Sequence, residues 1–218
     1  MSRPRRTSYC LAMSIAIFTA LVVPGSPARA AFHLWQVKEV FSNADASVQF
    51  VEMFNSFGAE TFVNGFTVTA NSDGNIKTFT FPSNITGTPG SMLIATSGFG
   101  ALPGGVTPDF TFAQGGVIGS FFNPNATNLT FTYSGSGDSM SFTGASLPKD
   151  GIHSLTDAGA VGFPPGTPNI SSGTNSPTNL SGNSGSVNLS PEPTTMFYAL
   201  CGVAPIALRR RGSRIKQL

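Results

Sequence analysis

Thiols, arginine and histidine are nearly missing from most of this chain. Its two cysteines are Cys10 and Cys201, each inside an apolar run close to a terminus. Residues 31–190 therefore hold no thiol, which excludes a disulfide, a cysteine nucleophile or a cysteine-ligated metal there and leaves a hydrophobic core to stabilise the domain. The same stretch has no arginine. Lys38, Lys77 and Lys149 stand against nine acids, Glu39, Asp45, Glu52, Glu60, Asp73, Asp109, Asp138, Asp150 and Asp157, which gives a net charge of −6. The +2 of the whole chain comes from the ends, so a basic phosphate-binding footprint is absent and no nucleic-acid partner is expected. Histidine occurs twice, as His33 and His153, and tryptophan once, as Trp35. Phenylalanine is abundant instead, 19 residues in all, most of them in a body long enough for one core.

The two ends read as addresses. Arg3, Arg5 and Arg6 precede the apolar run Cys10 to Val23, and Ala28-Arg29-Ala30 supplies a small-x-small cleavage site. This is the order of a signal peptide, with residues 1–30 removed by signal peptidase and a mature start at Ala31. At the other end stand Pro191-Glu192-Pro193, an apolar run from Met196 to Leu208 interrupted by Pro205, and then Arg209, Arg210 and Arg211. A helix from residue 194 to 208 would cover roughly 22 Å against a hydrocarbon core of about 30 Å, a short transmembrane helix whose arginines hold it on the cytoplasmic side. Residues 191–218 resemble the PEP-CTERM sorting signal of Gram-negative bacteria. The resemblance implies recognition by an exosortase, a membrane enzyme that cuts near the triplet, after a transient stay in the inner membrane.

Between the signals the hydrophobic period is two. Leu129, Phe131 and Tyr133 alternate with Asn128, Thr130, Thr132 and Ser134, and residues 139–143 repeat the pattern. Residues 61–70 predict a strand with Phe62, Phe66, Val68 and Ala70 inward. Residues 65–70 and 76–81 flank Asn71-Ser72-Asp73-Gly74-Asn75, where Asp-Gly is a favoured type I′ pair, so a hairpin is predicted. Further strands are predicted at 34–41, 48–54, 91–96 and 109–112. The run Phe50-Val51-Glu52-Met53-Phe54, apolar on both faces except at Glu52, marks a central strand. Short strands joined by Gly, Pro and Asn turns indicate an all-β antiparallel sandwich.

The succession Trp35-x-x-Lys38-Glu39-Val40, Gln49-Phe50-Val51-Glu52-Met53-Phe54-Asn55, Phe62-x-x-Gly65-Phe66-x-Val68, Phe79-x-Phe81-Pro82 and Leu93-Ile94-Ala95-Thr96 resembles a lamin-tail domain. The resemblance spans roughly residues 32–155 and is strongest up to Phe99, with Met53-Phe54 where that family has Leu-Tyr. It implies an immunoglobulin-like β-sandwich over residues 31–163 and an adaptor or surface role; a fold of this kind does not imply an activity. Residues 164–190 are nearly all Pro, Gly, Ser, Thr and Asn, with Ile170, Leu180, Val187 and Leu189 as the larger apolar side chains. Such a segment reads as a disordered spacer, because it offers little surface to bury against its chain entropy.

Catalytic patterns are scarce. His153, Ser154 and Asp157 contain the residue types of a triad, but neighbours in sequence rarely converge in space, and Asp150-Gly151-x-His153 reads as a turn. Asn71-x-Asp73-Gly74-Asn75 lacks the third acid and the later glutamate of a calcium loop, so turn chemistry is expected there. Glu52 and Asn55 are expected to satisfy backbone groups at a strand end. Asn84-Ile85-Thr86 and Asn128-Leu129-Thr130 have the spacing of glycosylation acceptors, which a bacterial export route would not use. The pairs Thr67 and Thr69, Thr78 and Thr80, and Thr130 and Thr132 place hydroxyls on one strand face, either as ordinary solvent-facing β-branched residues or as a contact for polysaccharide or ice.

Together these features predict an exported, non-enzymatic protein without cofactor or metal, sorted to the cell surface or extracellular matrix, with exopolysaccharide as a further partner. The alternatives are a carbohydrate- or ice-binding module and a secreted hydrolase using Glu52 and Glu60, whose carboxyls would need a separation of about 5 to 10 Å. Trp35 is expected in the core.

Overall fold

The computed structural model describes residues 34–58, 60–87, 90–160 and 166–189. The signal peptide and sorting signal expected from the sequence, with Ala28, Ala30, Ala31, Pro191 to Pro193 and Arg209 to Arg211, lie outside the described residues, as does His33. Among the described residues no helix is long and apolar enough to cross a membrane.

Among the described residues, ten strands form two sheets. They are β1 (Gln36–Ser42), β2 (Gln49–Phe54), β3 (Thr67–Ser72), β4 (Asn75–Thr80), β5 (Ser91–Ala95), β6 (Phe110–Thr111), β7 (Leu129–Tyr133), β8 (Ser139–Phe142), β9 (His153–Asp157) and β10 (Ile170–Thr174). The six-stranded sheet runs β10-β9-β1-β2-β5-β6 and the four-stranded sheet β4-β3-β7-β8. Only β5 and β6 pair in parallel; every other neighbouring pair of strands is antiparallel. The all-β sandwich is thus present, and β2 is an interior strand between β1 and β5, as its two-faced apolarity predicts.

Alternation decides which side chains meet. Val37, Val51, Met53 and Ile94 of one sheet pack against Val68, Phe79, Leu129, Phe131 and Met140 of the other. Trp35 is fully buried beside them. Phenylalanine fills most of the space. Phe79 and Phe81 meet edge-on at 4.9 Å, Phe112 stacks on Phe121 at 4.6 Å, and Phe122 meets Phe131 edge-on at 5.0 Å. The predicted hairpin is β3–β4. Asp73 (φ 51°) and Gly74 (φ 90°) both take the left-handed conformation a type I′ turn demands, with Asn71 Oδ1 accepting from the Gly74 N–H at 2.8 Å.

Three sequence expectations are corrected. Phe62 does not point inward: it is 66% exposed, and Val63 takes the core position. The cause is a turn, in which the Phe66 N–H donates to Val63 O and Gly65 adopts φ 82°, so the regular alternation starts only at Thr67. His153 is not confined to a turn: its N–H and that of Ile152 donate to Asp150 Oδ1 as turn chemistry requires, but the residue also opens β9, a strand paired on both sides.

The third correction concerns the polar segment before Pro191-Glu192-Pro193, residues 164–190, expected as a disordered spacer. Ile170–Thr174 is the edge strand β10, and residues 175–189 fold out and back as a strap across the outer face of the six-stranded sheet. That face carries a second apolar cluster, Phe41, Phe50, Leu93, Ala95, Phe99 and Val106, closed by Val187 of the strap. The sandwich therefore extends to residue 189. The entropy argument fails because the strap is held mainly by buried hydrogen bonds rather than by its few apolar side chains.

Candidate functional site: two outer faces

A β-bulge between Val37 and Glu39 turns Glu39 onto the outer face of its sheet, directly opposite Glu52 on β2. Both are completely buried, and like charges in this position repel. The strap and its neighbours supply the compensation. Glu39 accepts from Ser154 Oγ (2.7 Å), the Ser176 N–H (2.8 Å) and Ser176 Oγ (3.0 Å). Glu52 accepts from Lys38 Nζ (2.9 Å), Ser91 Oγ (2.8 Å) and the Thr178 N–H (2.9 Å). A third acid, Asp109, bridges the Leu93 N–H (2.8 Å) and the Leu180 N–H (3.0 Å). Asn179 Nδ2 donates to Thr107 O at 3.0 Å, while its Oδ1 accepts from the N–H groups of Ser181 and Asn183.

Glu52 does more than the sequence predicts, since it joins β1, β5 and the strap. Asn55 does what is expected: its Oδ1 accepts from the Phe57 N–H at 2.9 Å. Glu60 lies elsewhere, its carboxylate accepting from the Leu34 N–H. The carboxylate facing Glu52 is that of Glu39. Sequence reasoning did not single out Glu39 because the bulge that re-aims it leaves no mark in the alternation.

Burial pushes the Glu39 carboxyl above its ordinary value of 4.5, against the hydrogen bonds from Ser154 and Ser176; the charge of Glu52 pushes the same way. A raised native value means that the folded state binds this proton more tightly than the unfolded chain does. The stabilisation is complete below 4.5 and is lost as the pH climbs through the raised value. Asp109 and Asp138 are shifted in the same direction, also by burial. The expected result is a melting temperature that declines from mildly acid to neutral pH, with a shallower decline in Glu39→Gln. Thermal melts of the two proteins across that range check it; parallel profiles would contradict it.

The triad types are not brought together. Asp150 Oδ2 lies 2.6 Å from His153 Nδ1; partial burial opposes ionisation of Asp150, but the His153 N–H, the imidazole and the Ile152 N–H hold its carboxyl at about 2. Ser154 instead turns to Glu39, and Asp157 accepts from the N–H groups of Gly159 and Asn169. Asp73 accepts from the N–H groups of Thr127 (2.7 Å) and Asn128 (2.8 Å), tying the hairpin tip to the entry of β7.

Among the described residues, the outer face of the four-stranded sheet has no such cover. Pairing register arranges its residues in rows: Thr80 beside Thr67; Thr78, Thr69, Thr132 and Ser139; Ile76, Asn71, Thr130 and Ser141. The threonine pairs read from sequence are thus brought into one array, and β8 extends it with two serines. Neighbours lie about 4.8 Å apart across strands and about 6.8 Å apart along them. None of these ten residues is charged. Lys77, next in sequence, turns instead to the carbonyls of Ile118 and Ser120. Thr130 Oγ1 and Ser141 Oγ bond each other at 3.0 Å. What this face offers a ligand is donors and acceptors without charge. Compared with protein-family models, curated proteins and solved structures, the chain matches none.

Proposed function

We propose that the chain is an exported, non-enzymatic surface or matrix protein of a Gram-negative bacterium, a lamin-tail-like immunoglobulin-type sandwich delivered by a signal peptide and sorted by an exosortase near Pro191-Glu192-Pro193. The observation that carries this is the coincidence, at one terminus, of the triplet, the short apolar run and the cluster Arg209 to Arg211. The apolar run is marginal for a permanent span, and the arginines prevent its passage through the bilayer, so the anchor is transient. The commitment of Glu39, Glu52 and Asp109 to bonds with the strap fits a module that does no chemistry. In cells lacking the sorting enzyme, full-length protein is expected to accumulate in the inner membrane, as immunoblots of separated fractions would show. An unchanged distribution of shortened protein would reject the route.

The hydroxyl array favours a second reading within the same role, contact with a neutral polysaccharide of the matrix. An uncharged and periodic face suits an uncharged and periodic partner, whereas protein-binding hot spots are built on aromatic and arginine anchors. Sedimentation with insoluble neutral glucans is expected to pull down the body, and Thr69→Lys with Thr132→Lys is expected to lower the bound fraction at least severalfold with the fold intact. Equal retention of the double variant would remove the face from consideration.

A further inference from the structure

We propose that cleavage at the sorting triplet is gated by the strap: residues 185–189 are docked on the sandwich, and the membrane peptidase obtains the upstream half of its substrate only when they lift off. The proposal rests on the sorting route above and adds a step to it. Pro191 follows Leu189 by two residues in sequence, a chain length of at most about 7 Å.

An enzyme that grips an extended peptide draws on the main-chain N–H and C=O groups of its substrate. Upstream of the triplet those groups are already used. The Gly185 N–H donates to Pro177 O (3.1 Å), the Ser186 N–H to Gly104 O (3.0 Å) and the Leu189 N–H to Gly151 O (2.9 Å). Asn175 clamps Val187 from both sides, its Oδ1 accepting from the Val187 N–H at 2.8 Å and its Nδ2 donating to Val187 O at 2.8 Å. Val187 itself is fully buried.

The approach is as close as backbones allow. A Cβ added at Gly104 would stand 2.0 Å from Ser186 O, and one at Gly185 would stand 2.3 Å from Gly104 O. No enzyme can insert between them. Cleavage of a docked segment proceeds through local opening, at a rate that follows the open population when reclosing is fast. Gating of this kind favours cutting a domain that has already folded and leaves the strap in place on the product.

The test is pulse–chase processing of the full chain in cells that carry the sorting enzyme. A flexible ten-residue Gly-Ser insertion between Leu189 and Ser190 leaves every strap contact in place and is expected to speed removal of the tail about tenfold. Asn175→Ala, which loosens the clamp on Val187, is expected to speed it by a similar factor and to add nothing to the insertion. A wild-type rate in the insertion variant would overturn the gate, and this holds even if Asn175→Ala fails to accumulate. The sorting route is judged separately: tail removal from the unaltered chain in cells without the enzyme would reject that route.

Discussion

A chain that ends at Thr174 is expected to lose the folded sandwich. Such a truncation removes the Ser176 donors to Glu39, the Thr178 donor to Glu52 and the Leu180 donor to Asp109, which leaves buried carboxylates short of partners. Each such loss costs about 1–3 kcal/mol, more for charged groups, and uncovering the site of Val187 adds about 1.5–3 kcal/mol. The total approaches the whole stability of an ordinary domain, about 5–15 kcal/mol. Phe41, Phe50, Leu93 and Phe99 would also face water beneath the missing strap. The comparison is between fragments 31–174 and 31–189, followed by circular dichroism and thermal melting. The shorter one is expected to be insoluble or to show no cooperative transition. If both melted within a few degrees of each other, residues 175–189 would be a passive tether.

The second large effect is expected at Phe131. Its ring is fully buried in the middle of the four-stranded sheet, edge-on to Phe122 at 5.0 Å and stacked on Phe142 at 5.8 Å. Phe131→Ala is expected to remove about 3–5 kcal/mol, since neighbouring aromatic rings cannot collapse into the space. In a domain of this size the melting temperature should fall by roughly 10 °C or more. Phe62→Ala, at an exposed position, is expected to stay within about 0.5 kcal/mol of the wild type. Similar losses from the two substitutions would contradict the placement of both residues.

These two positions mark what could be read from the sequence. Around Phe131 the alternation is unbroken, so strand, face and burial were all legible. The β3–β4 hairpin was legible for a different reason: Asp73-Gly74 satisfies a backbone requirement few other pairs can meet. Phe62 was misplaced because the turn at residues 63–66 resets the phase before β3, and a turn of that kind has no period. Strand β10, Ile-Ser-Ser-Gly-Thr, has one sizeable apolar residue and looks like linker. The strap was illegible for the same reason, since Ser, Thr, Asn and Gly compose both flexible tethers and segments that donate to buried carboxylates. A trace of it existed on the other side of the contact. Glu39 and Glu52 sit in the mainly apolar runs 37–41 and 50–54, with Lys38 the single cation in them, and buried acids must find donors somewhere.

Of the candidate site, the threonine faces were visible as Thr-x-Thr pairs, but their assembly into one array depends on the order β4-β3-β7-β8. Local pattern does not encode that order, because β3 and β7 are separated by more than fifty residues of chain. The register that aligns Thr78, Thr69, Thr132 and Ser139 is a tertiary fact.

The central claim is that one chain is trimmed at both ends and exported with its sandwich and strap complete. Intact-mass spectrometry of the protein recovered from outside the cell, with sequencing of both terminal peptides, measures this in a single experiment. The expected species begins at Ala31, retains residues 175–189 and ends close to Pro191-Glu192-Pro193. Exported protein that still carries Arg209 to Leu218 in cells with the sorting enzyme intact would contradict it and leave a plain tail anchor in its place.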